Sequence, residues 1–254
     1  MSELIIKNHL IKSYKPTICV PVIGTTKEEI YSEISNLVAV RVDMIEWRID
    51  YFENYRDKDA LLEILQMIRN ICDEVVLIAT IRTKQQGGQA DISEQDIIPL
   101  LELIADSGCV DIIDIEFFTF KKPEKLIKNL QNRGAIVLSS HHDFEETPEP
   151  AVMEMLLDQM SMSTADIVKL AAVPDSPADV LNLLQVTNNF ASNPDNPPII
   201  SMSMGNKGMI SRICGEVFGS CVTFGAIGKG SAPGQIQCDE LRRVLQFMHN
   251  NLTM

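Results

Sequence analysis

A lysine stands inside one of the most apolar stretches of the chain, residues 165–172, whose length and composition are typical of a buried strand. Burial disfavours the charged ammonium form of a lysine. A neutral amine is a nucleophile that can condense with a ketone to form an imine. Lys169 is therefore the first candidate for catalysis, and the alternative is a structural ion pair between Lys169 and Asp114 or Glu116.

Two adjacent histidines, His141 and His142, follow another apolar run. Only one of them can point to the same side as a buried active site, because neighbouring side chains of a strand alternate. Histidine is the commonest general acid and base near neutral pH, although a lone histidine can also be a core or surface residue. The remaining histidines, His9 and His249, are remote in sequence, so we predict no metal site.

Charged residues also occur late in the run that contains Glu46 and Arg48. These two share one face of a strand, and if Ile45 and Trp47 face the helices, both charges point inward. Burying two charges costs several kcal/mol per ion unless they are well paired. The pattern predicts either a structural Glu46–Arg48 ion pair or a site for a ligand rich in hydroxyl groups.

Further along the chain, Arg82 ends a strand-like run and is followed by the loop residues Gly87 and Gly88. This arrangement suits ligand binding, although a solvated loop is an equally good interpretation. Asp114 and Glu116 share a face of the next run, and two inward acids require cationic partners. We expect Arg82 to be one of these partners.

The elements that must position these residues alternate regularly. Strands are predicted at 17–23, 41–48, 75–81, 111–118, 135–140, 166–171, 198–204 and 221–226. Helices are predicted at 27–37, 57–71, 93–105, 123–132, 149–160, 176–188, 209–218 and 239–252, where apolar residues recur three and four positions apart. This alternation predicts an α/β fold, a single (β/α)8 TIM barrel domain over residues 1–254.

Residues 1–15 precede the first of these strands and resemble a short β-hairpin that closes the barrel floor. The alternative is an open doubly wound sheet, but no glycine-rich dinucleotide motif follows an early strand. In a barrel, function lies at the carboxyl ends of the strands, and the loop after the eighth strand often holds anionic groups. Ser231 and Gln235 lie in that loop, and Arg212 precedes it.

The net charge and composition of the chain argue against some classes of binding partner. The 254-residue chain carries a formal net charge of −13, which argues against nucleic acid and against an anionic membrane surface as partners. No apolar run reaches the length of a membrane span, and the first residues lack a signal-peptide core. Its six cysteines form no CxxC pair and lie mostly in apolar runs. We therefore expect a cytoplasmic enzyme with a small-molecule substrate.

Taken together, these segments resemble the type I 3-dehydroquinate dehydratases. The similar segments are 46–48, 140–144, 165–169, 201–205, 211–212, 215–220 and 231–235, which follow the family's order over nearly the whole chain. The resemblance implies a hydro-lyase of the shikimate pathway, which leads to chorismate and the aromatic amino acids. It implies no metal or organic cofactor, and a homodimer.

The resemblance also implies a role for each residue. Lys169 would form the imine with the C3 ketone of 3-dehydroquinate, and His142 would move the C2 proton to the departing C1 hydroxyl. Arg212, Ser231 and Gln235 would hold the substrate carboxylate. The ring hydroxyls would be held by Glu46, Arg48 and Arg82.

One residue departs from the family pattern, because Gln86 stands where members of the family carry a glutamate that supports the catalytic histidine. An amide can orient an imidazole but cannot stabilise the imidazolium by charge. We therefore expect a lower pKa for His142 than in glutamate-bearing relatives, unless Asp114 or Glu116 supplies the missing charge. Two other functions remain open on the sequence alone: a class I aldolase-type barrel, which also uses a lysine imine, and a non-catalytic carboxylate-binding barrel.

Overall fold

The computed structural model describes residues 3–228 and 234–252, and in these residues a parallel sheet curls into a barrel with helices on its outside. The strands are β1 (Glu3–Ile6), β2 (His9–Lys12), β3 (Thr17–Val22), β4 (Met44–Arg48), β5 (Val76–Thr80), β6 (Ile112–Glu116), β7 (Ile136–Asp143), β8 (Ile167–Ala172), β9 (Ile199–Ser203), β10 (Val222–Ala226) and β11 (Ile236–Gln237). The helices are α1 (Lys27–Ala39), α2 (Lys58–Ile71), α3 (Glu94–Asp106), α4 (Pro123–Asn132), α5 (Pro150–Met162), α6 (Pro177–Ser192), α7 (Gly215–Phe218) and α8 (Cys238–Leu252).

Strands β3 to β9 pair in sequence order, and β10 pairs with β3 and with the short β11. The barrel closes between β9 and β10, where the backbone N–H of Cys221 donates to the oxygen of Ile199 at 2.8 Å. A parallel bridge between Ile199 and Ser220 lies at the same place. The predicted (β/α)8 barrel is thus confirmed.

Alternation along the strands produces two separate layers of apolar side chains. In β4, Ile45 and Trp47 join the cluster that packs under the outer helices, while Met44 belongs to the cluster inside the barrel. Glu46 and Arg48 take the inward positions further along the same strand and are buried. The prediction that both charges point inward is confirmed.

The amino-terminal hairpin of β1 and β2 closes the end of the barrel where the strands begin. Its two strands pair antiparallel, and Ile6 and Ile11 are buried against the inner cluster. That cluster includes Met44 and Val76, the first residues of β4 and β5. The hairpin therefore has the position that the sequence predicted, opposite to the carboxyl ends of the strands.

The largest difference from the predicted elements is at residues 209–218. The predicted helix is wrong, because Met209–Arg212 forms one 3-10 turn and only Gly215–Phe218 is α-helical. The hydroxyl of Ser211 explains the break, since it accepts from the backbone N–H of Ser203 at 2.9 Å and donates to Gly208 at 2.7 Å. These bonds tie the turn to β9.

Two strand boundaries also differ from the prediction. Strand β4 begins at Met44 because Arg41 has a left-handed backbone with φ of 55°. Strand β7 continues to Asp143 and so includes both adjacent histidines. In the described residues, no helix has the length and apolar character needed to cross a membrane.

Candidate active site

A cavity of about 180 Å³ opens at the carboxyl ends of the strands, the end opposite to the hairpin. It gathers most of the residues that the sequence singled out, from six strands and the loops that follow them. Its lining consists of Glu46, Arg48, Arg82, Gln86, Gly87, His142, Phe144, Lys169, Met202, Met204, Arg212, Phe224 and Gln235.

Lys169 lies in the middle of β8 and is only 4% exposed. Its Nζ atom lies 3.5 Å from Oε1 of Glu46 and 4.3 Å from the centre of the Phe224 ring. The partner is thus Glu46, and the alternative in which Lys169 pairs with Asp114 or Glu116 is wrong. The amine is held at the cavity wall between a carboxylate and an aromatic face.

Glu46 is the acid that faces the cations of the cavity. Burial alone would raise its pKa, but Lys169, Arg48 and Arg82 together hold that pKa below its usual value. The hydroxyl of Thr80 adds a hydrogen bond to Oε1 at 3.2 Å. Glu46 is therefore a carboxylate, and it balances part of the surrounding positive charge.

Arg48 pairs with Asp50 and not with Glu46, so the prediction of a Glu46–Arg48 ion pair is wrong. Nε and Nη2 of Arg48 donate to the two oxygens of Asp50 at 2.9 and 2.8 Å. Asp50 also accepts from the backbone N–H groups of Arg82 at 3.2 Å and Gln89 at 3.0 Å. It thus fixes both the arginine and the loop after β5.

Arg82 has the two acidic partners that the sequence predicted. Nη2 lies 2.6 Å from Asp114, Nη1 lies 3.4 Å from Glu116, and Nη1 also donates to Ser140 at 3.0 Å. Burial would lower the pKa of Arg82, but Asp114 and Glu116 raise it above its usual value. This ion-pair network holds the guanidinium of Arg82 at one side of the cavity.

Of the two adjacent histidines, His142 lines the cavity, whereas His141 packs edge-on against the ring of Phe118 at 5.2 Å. His142 is held by Gln86, whose Oε1 accepts from the His142 backbone N–H at 3.0 Å and lies 3.3 Å from Nδ1. The ring of Phe144 stacks at 6.4 Å.

Burial lowers the pKa of His142 well below its usual value, and the charges of Arg82, Lys169 and Arg48 act in the same direction. Asp114 and Glu116 do not supply the charge that Gln86 lacks. Both are engaged by Arg82, so that suggestion is wrong. His142 is therefore a neutral imidazole at neutral pH, the form that accepts a proton.

Arg212 reaches the cavity from the 3-10 turn after β9 and is 2% exposed. Nη1 lies 3.5 Å from the backbone oxygen of Phe224, and burial lowers the pKa of Arg212 to about 10. Gln235 lies at the same side of the cavity. Ser231, which the sequence placed beside it, lies outside the described residues.

Several residues that line or support the cavity were not found from the sequence. Asp50 follows β4 by two residues, and its acidic type after a strand end was the only available signal. Met202 and Phe224 are apolar residues on inward positions, and nothing in their type separates them from core residues. Phe144 is half exposed, and its ring covers Gly87, which has φ of +78°.

The arrangement places a buried primary amine, a neutral imidazole and three arginines around one small space. Such a site can condense a carbonyl with the amine, move a proton next to it and hold an anionic, hydroxylated ligand. In the described residues, no group of three or more His, Cys, Asp and Glu side chains is placed to bind a metal ion.

Comparison with known proteins gives consistent matches in sequence. The family model described as Type I 3-dehydroquinase matches residues 18–252. A 3-dehydroquinate dehydratase of Listeria monocytogenes serotype 4b is 39% identical over 250 residues, which are 98% of this chain and 99% of that protein. A 3-dehydroquinate dehydratase of Clostridioides difficile strain 630 is 38% identical over 97% of both chains.

Solved structures of 3-dehydroquinate dehydratases also match this chain. A type I 3-dehydroquinate dehydratase from Clostridium difficile, with covalently modified comenic acid, matches with a TM-score of 0.93 and 38% identity over 98% of each chain. The 3-dehydroquinate dehydratase from Geobacillus kaustophilus matches with a TM-score of 0.93 and 32% identity, covering 98% of this chain and 97% of the other. The similarity therefore spans the whole barrel and the cavity.

Proposed function

The chain belongs to the type I 3-dehydroquinase family, and on that premise we propose that Lys169 and His142 carry out its reaction. The protein is a hydro-lyase of the shikimate pathway that removes water from 3-dehydroquinate through a lysine imine and yields 3-dehydroshikimate. The sequence-based alternatives, an aldolase-type lyase and a non-catalytic barrel, do not agree with this membership.

One observation supports the assignment of the two residues most directly. Strands β7 and β8 are neighbours in a register that pairs Ser140 with Lys169 and His142 with Ala171. Lys169 and Ala171 share a face of β8, and His142 lies beside Ala171 on β7. His142 and Lys169 therefore project to the same side of the sheet, two residues apart along the strand direction. Both line the cavity.

The proposed reaction begins when Lys169 gives one ammonium proton to His142 and its neutral amine attacks the C3 ketone. The ketone oxygen takes up that proton and a second one from the lysine nitrogen and leaves as water, which gives the protonated imine. His142 then accepts a proton from C2, and the electron pair of the C–H bond moves into the imine. The C1–O bond breaks as His142 returns its proton to the leaving hydroxyl, which departs as water. Hydrolysis of the conjugated imine consumes one water and restores Lys169, so the net change is the loss of one water.

The substrate is proposed to lie with its carboxylate on Arg212, whose planar fork suits a carboxylate. Gln235 is proposed to complete that end, and the same role is proposed for Ser231 from the family resemblance alone. The ring hydroxyls face Glu46 and Arg48.

Arg82 is proposed to act at the same end of the cavity as Arg48. This role is supported by Asp114 and Glu116, which hold the guanidinium of Arg82 at the cavity wall. No organic cofactor and no metal is needed for the steps proposed, because the imine itself withdraws the electron pair.

Partners and location stay predictions for this chain. We propose a homodimer in the cytoplasm that binds neither nucleic acid nor a membrane. The formal net charge of −13 supports the absence of nucleic acid and anionic lipid as partners.

The reaction is tested by adding 3-dehydroquinate and following the absorbance in the near ultraviolet. Dehydration gives a conjugated enone, so the absorbance rises and one product forms, with its mass lowered by one water. Aldol cleavage would instead give two carbonyl fragments, and a binding protein would leave the substrate intact. Either of these two results would overturn the proposal.

A further inference from the structure

The side-chain amide of Gln86 is fixed at both of its ends. At one end, Oε1 accepts from the backbone N–H of His142 at 3.0 Å. A backbone N–H can only donate, so it favours the oxygen of the amide at this end. At the other end, Nε2 lies 3.2 Å from the hydroxyl of Thr119.

The hydroxyl of Thr119 must accept the proton of the Gln86 amide, because its own proton is committed elsewhere. Thr119 lies 3.0 Å from Oε2 of Glu116, and a carboxylate oxygen can only accept. Thr83 binds the same carboxylate with its hydroxyl at 2.7 Å and with its backbone N–H at 2.7 Å. A chain of donors thus runs from Gln86 through Thr119 to a firmly held acid.

This series of hydrogen bonds determines which nitrogen of the His142 imidazole carries the proton. Nδ1 lies 3.3 Å from the same Gln86 oxygen. Two lone pairs facing each other would repel, so the neutral ring carries its proton on Nδ1 and leaves the lone pair on Nε2. An amide turned the other way would favour the opposite tautomer.

We propose that Thr119 is a positioning residue for the dehydration: by anchoring the amide of Gln86 against Glu116, it fixes the His142 tautomer in which Nε2 is the base. This inference rests on the function proposed above. Thr119 touches no reacting atom, and it acts only through Gln86 and His142.

The charges around His142 agree with a neutral ring. Lys169 lies on the neighbouring β8, Arg48 lies on β4 and Arg82 follows β5, and His141 precedes His142 on its own strand. Of the acids near β7, Glu116 and Asp114 are bound by Arg82. The amide at position 86 therefore orients a neutral base, and it does so without adding charge.

A glutamate at position 86 would compete with Glu116 for the hydroxyl proton of Thr119. The single proton of the Thr119 hydroxyl can serve one carboxylate only. With Gln86, that proton goes to Glu116 and the amide supplies its own donor to Thr119. The pair of Gln86 and Thr119 is thus matched.

The test compares Thr119→Val with Thr119→Ser, which keeps the hydroxyl. Thr187→Val serves as the matched control, because Thr187 is a buried threonine whose hydroxyl donates to Leu183 at 2.7 Å, away from the cavity. The tautomer of His142 is measured in the substrate-free enzyme from its imidazole 15N chemical shifts, with assignment by His142→Asn. The same proteins are assayed for kcat and KM.

Thr119→Val is expected to show both tautomers and to lower kcat about tenfold, the effect of one lost hydrogen bond. KM is expected to change by less than about twofold, because the substrate contacts remain. Thr119→Ser and Thr187→Val are expected to keep the parent tautomer and kcat. A second variant, Thr119→Ala, is expected to behave as Thr119→Val does.

A parent-like 15N spectrum in both Thr119→Val and Thr119→Ala would overturn the inference. A fall in kcat that Thr119→Ser fails to restore would do so as well. Because the spectrum needs no turnover, this result is separate from the fate of the proposed function. That function fails on a different observation, the absence of the dehydrated product in the parent enzyme.

Discussion

The Nζ atom of Lys169 lies 3.5 Å from Oε1 of Glu46, and both side chains are 5% exposed. This contact joins β8 to β4 across the interior of the barrel. It places the carboxylate next to the amine that we propose as the nucleophile. Arg48 and Arg82 also lower the pKa of Glu46, so this one carboxylate balances several positive charges inside the barrel.

We predict that Glu46→Gln lowers the free energy of unfolding by about 3 kcal/mol near pH 7, because one partner of a buried pair is removed. The pKa of Glu46 is held below its usual value in the folded protein, chiefly by Lys169 against the opposing effect of burial. Its contribution is therefore fully present above the pKa of an unfolded glutamate, about 4.3, and is lost as the pH falls through the lower folded pKa.

Urea unfolding of both proteins from pH 7 down to pH 3 measures this difference. The gap between the parent and Glu46→Gln should be constant above pH 5 and should shrink below about pH 4.3. A gap of the same size at every pH would contradict the charged state of Glu46. Glu53→Gln, a neutralisation at an exposed position, should leave the free energy nearly unchanged.

We predict that Gln86→Glu shifts the acidic limb of the pH–rate profile to higher pH. The pKa of His142 is lowered by burial and by Arg82, so the parent enzyme keeps its neutral base to a pH well below 6.5. A carboxylate in place of the Gln86 oxygen, which lies 3.3 Å from Nδ1, would stabilise the imidazolium and raise this pKa.

The acidic limb of kcat/KM measures the change. Gln85→Glu is the matched control, since it adds the same charge at the adjacent, exposed position and should leave the limb unchanged. Superimposable profiles of Gln86→Glu and the parent would show that Gln86 does not control the protonation of His142.

We predict that Arg212→Met raises KM about a hundredfold, because a buried guanidinium that pairs with a carboxylate is removed. The carboxylate keeps its charge throughout the reaction, so kcat should fall by less than about threefold. Arg242→Met is the control, as Arg242 donates to the backbone oxygens of Val40 and Arg41, remote from the cavity. A loss confined to kcat would assign Arg212 another role.

Many polar residues of the site could be predicted, because a polar type stands late in a strand that should be apolar, or directly after one. Lys169 and Glu46 are examples, since alternation alone decides that they face the interior. The partners of Lys169 and Arg48 could not be predicted in the same way, whereas those of Arg82 could. Arg48 pairs with Asp50, because the chain turns directly after β4 and returns an acid to the preceding arginine.

The fold could be predicted from the alternation of short apolar runs with amphipathic stretches. The helix predicted at 209–218 failed because apolar periodicity does not register the hydroxyl of Ser211, whose hydrogen bonds to Ser203 and Gly208 hold the chain in a tighter turn. The same turn brings Arg212 into the cavity. The hydrogen bonds of Ser211 thus override the local helical pattern.

The role of Thr119 could not be predicted from the sequence either, because it depends on hydrogen bonds that connect Gln86, in the loop after β5, with Thr119 and Glu116 at the end of β6. Gln86 was recognised only as a departure from a family pattern. Its partner on the other side, Thr119, is a common residue after a strand and carries no signal of its own.

Borohydride reduction in the presence of 3-dehydroquinate, followed by peptide mapping, tests the central claim most directly. We predict a stable mass adduct on Lys169 in the parent enzyme and none in Lys169→Met, which keeps a side chain of similar length in the buried position. His142→Asn should still give the adduct while its turnover falls at least about a hundredfold. An unmodified Lys169 peptide, or an adduct on another lysine with full activity in Lys169→Met, would contradict the account.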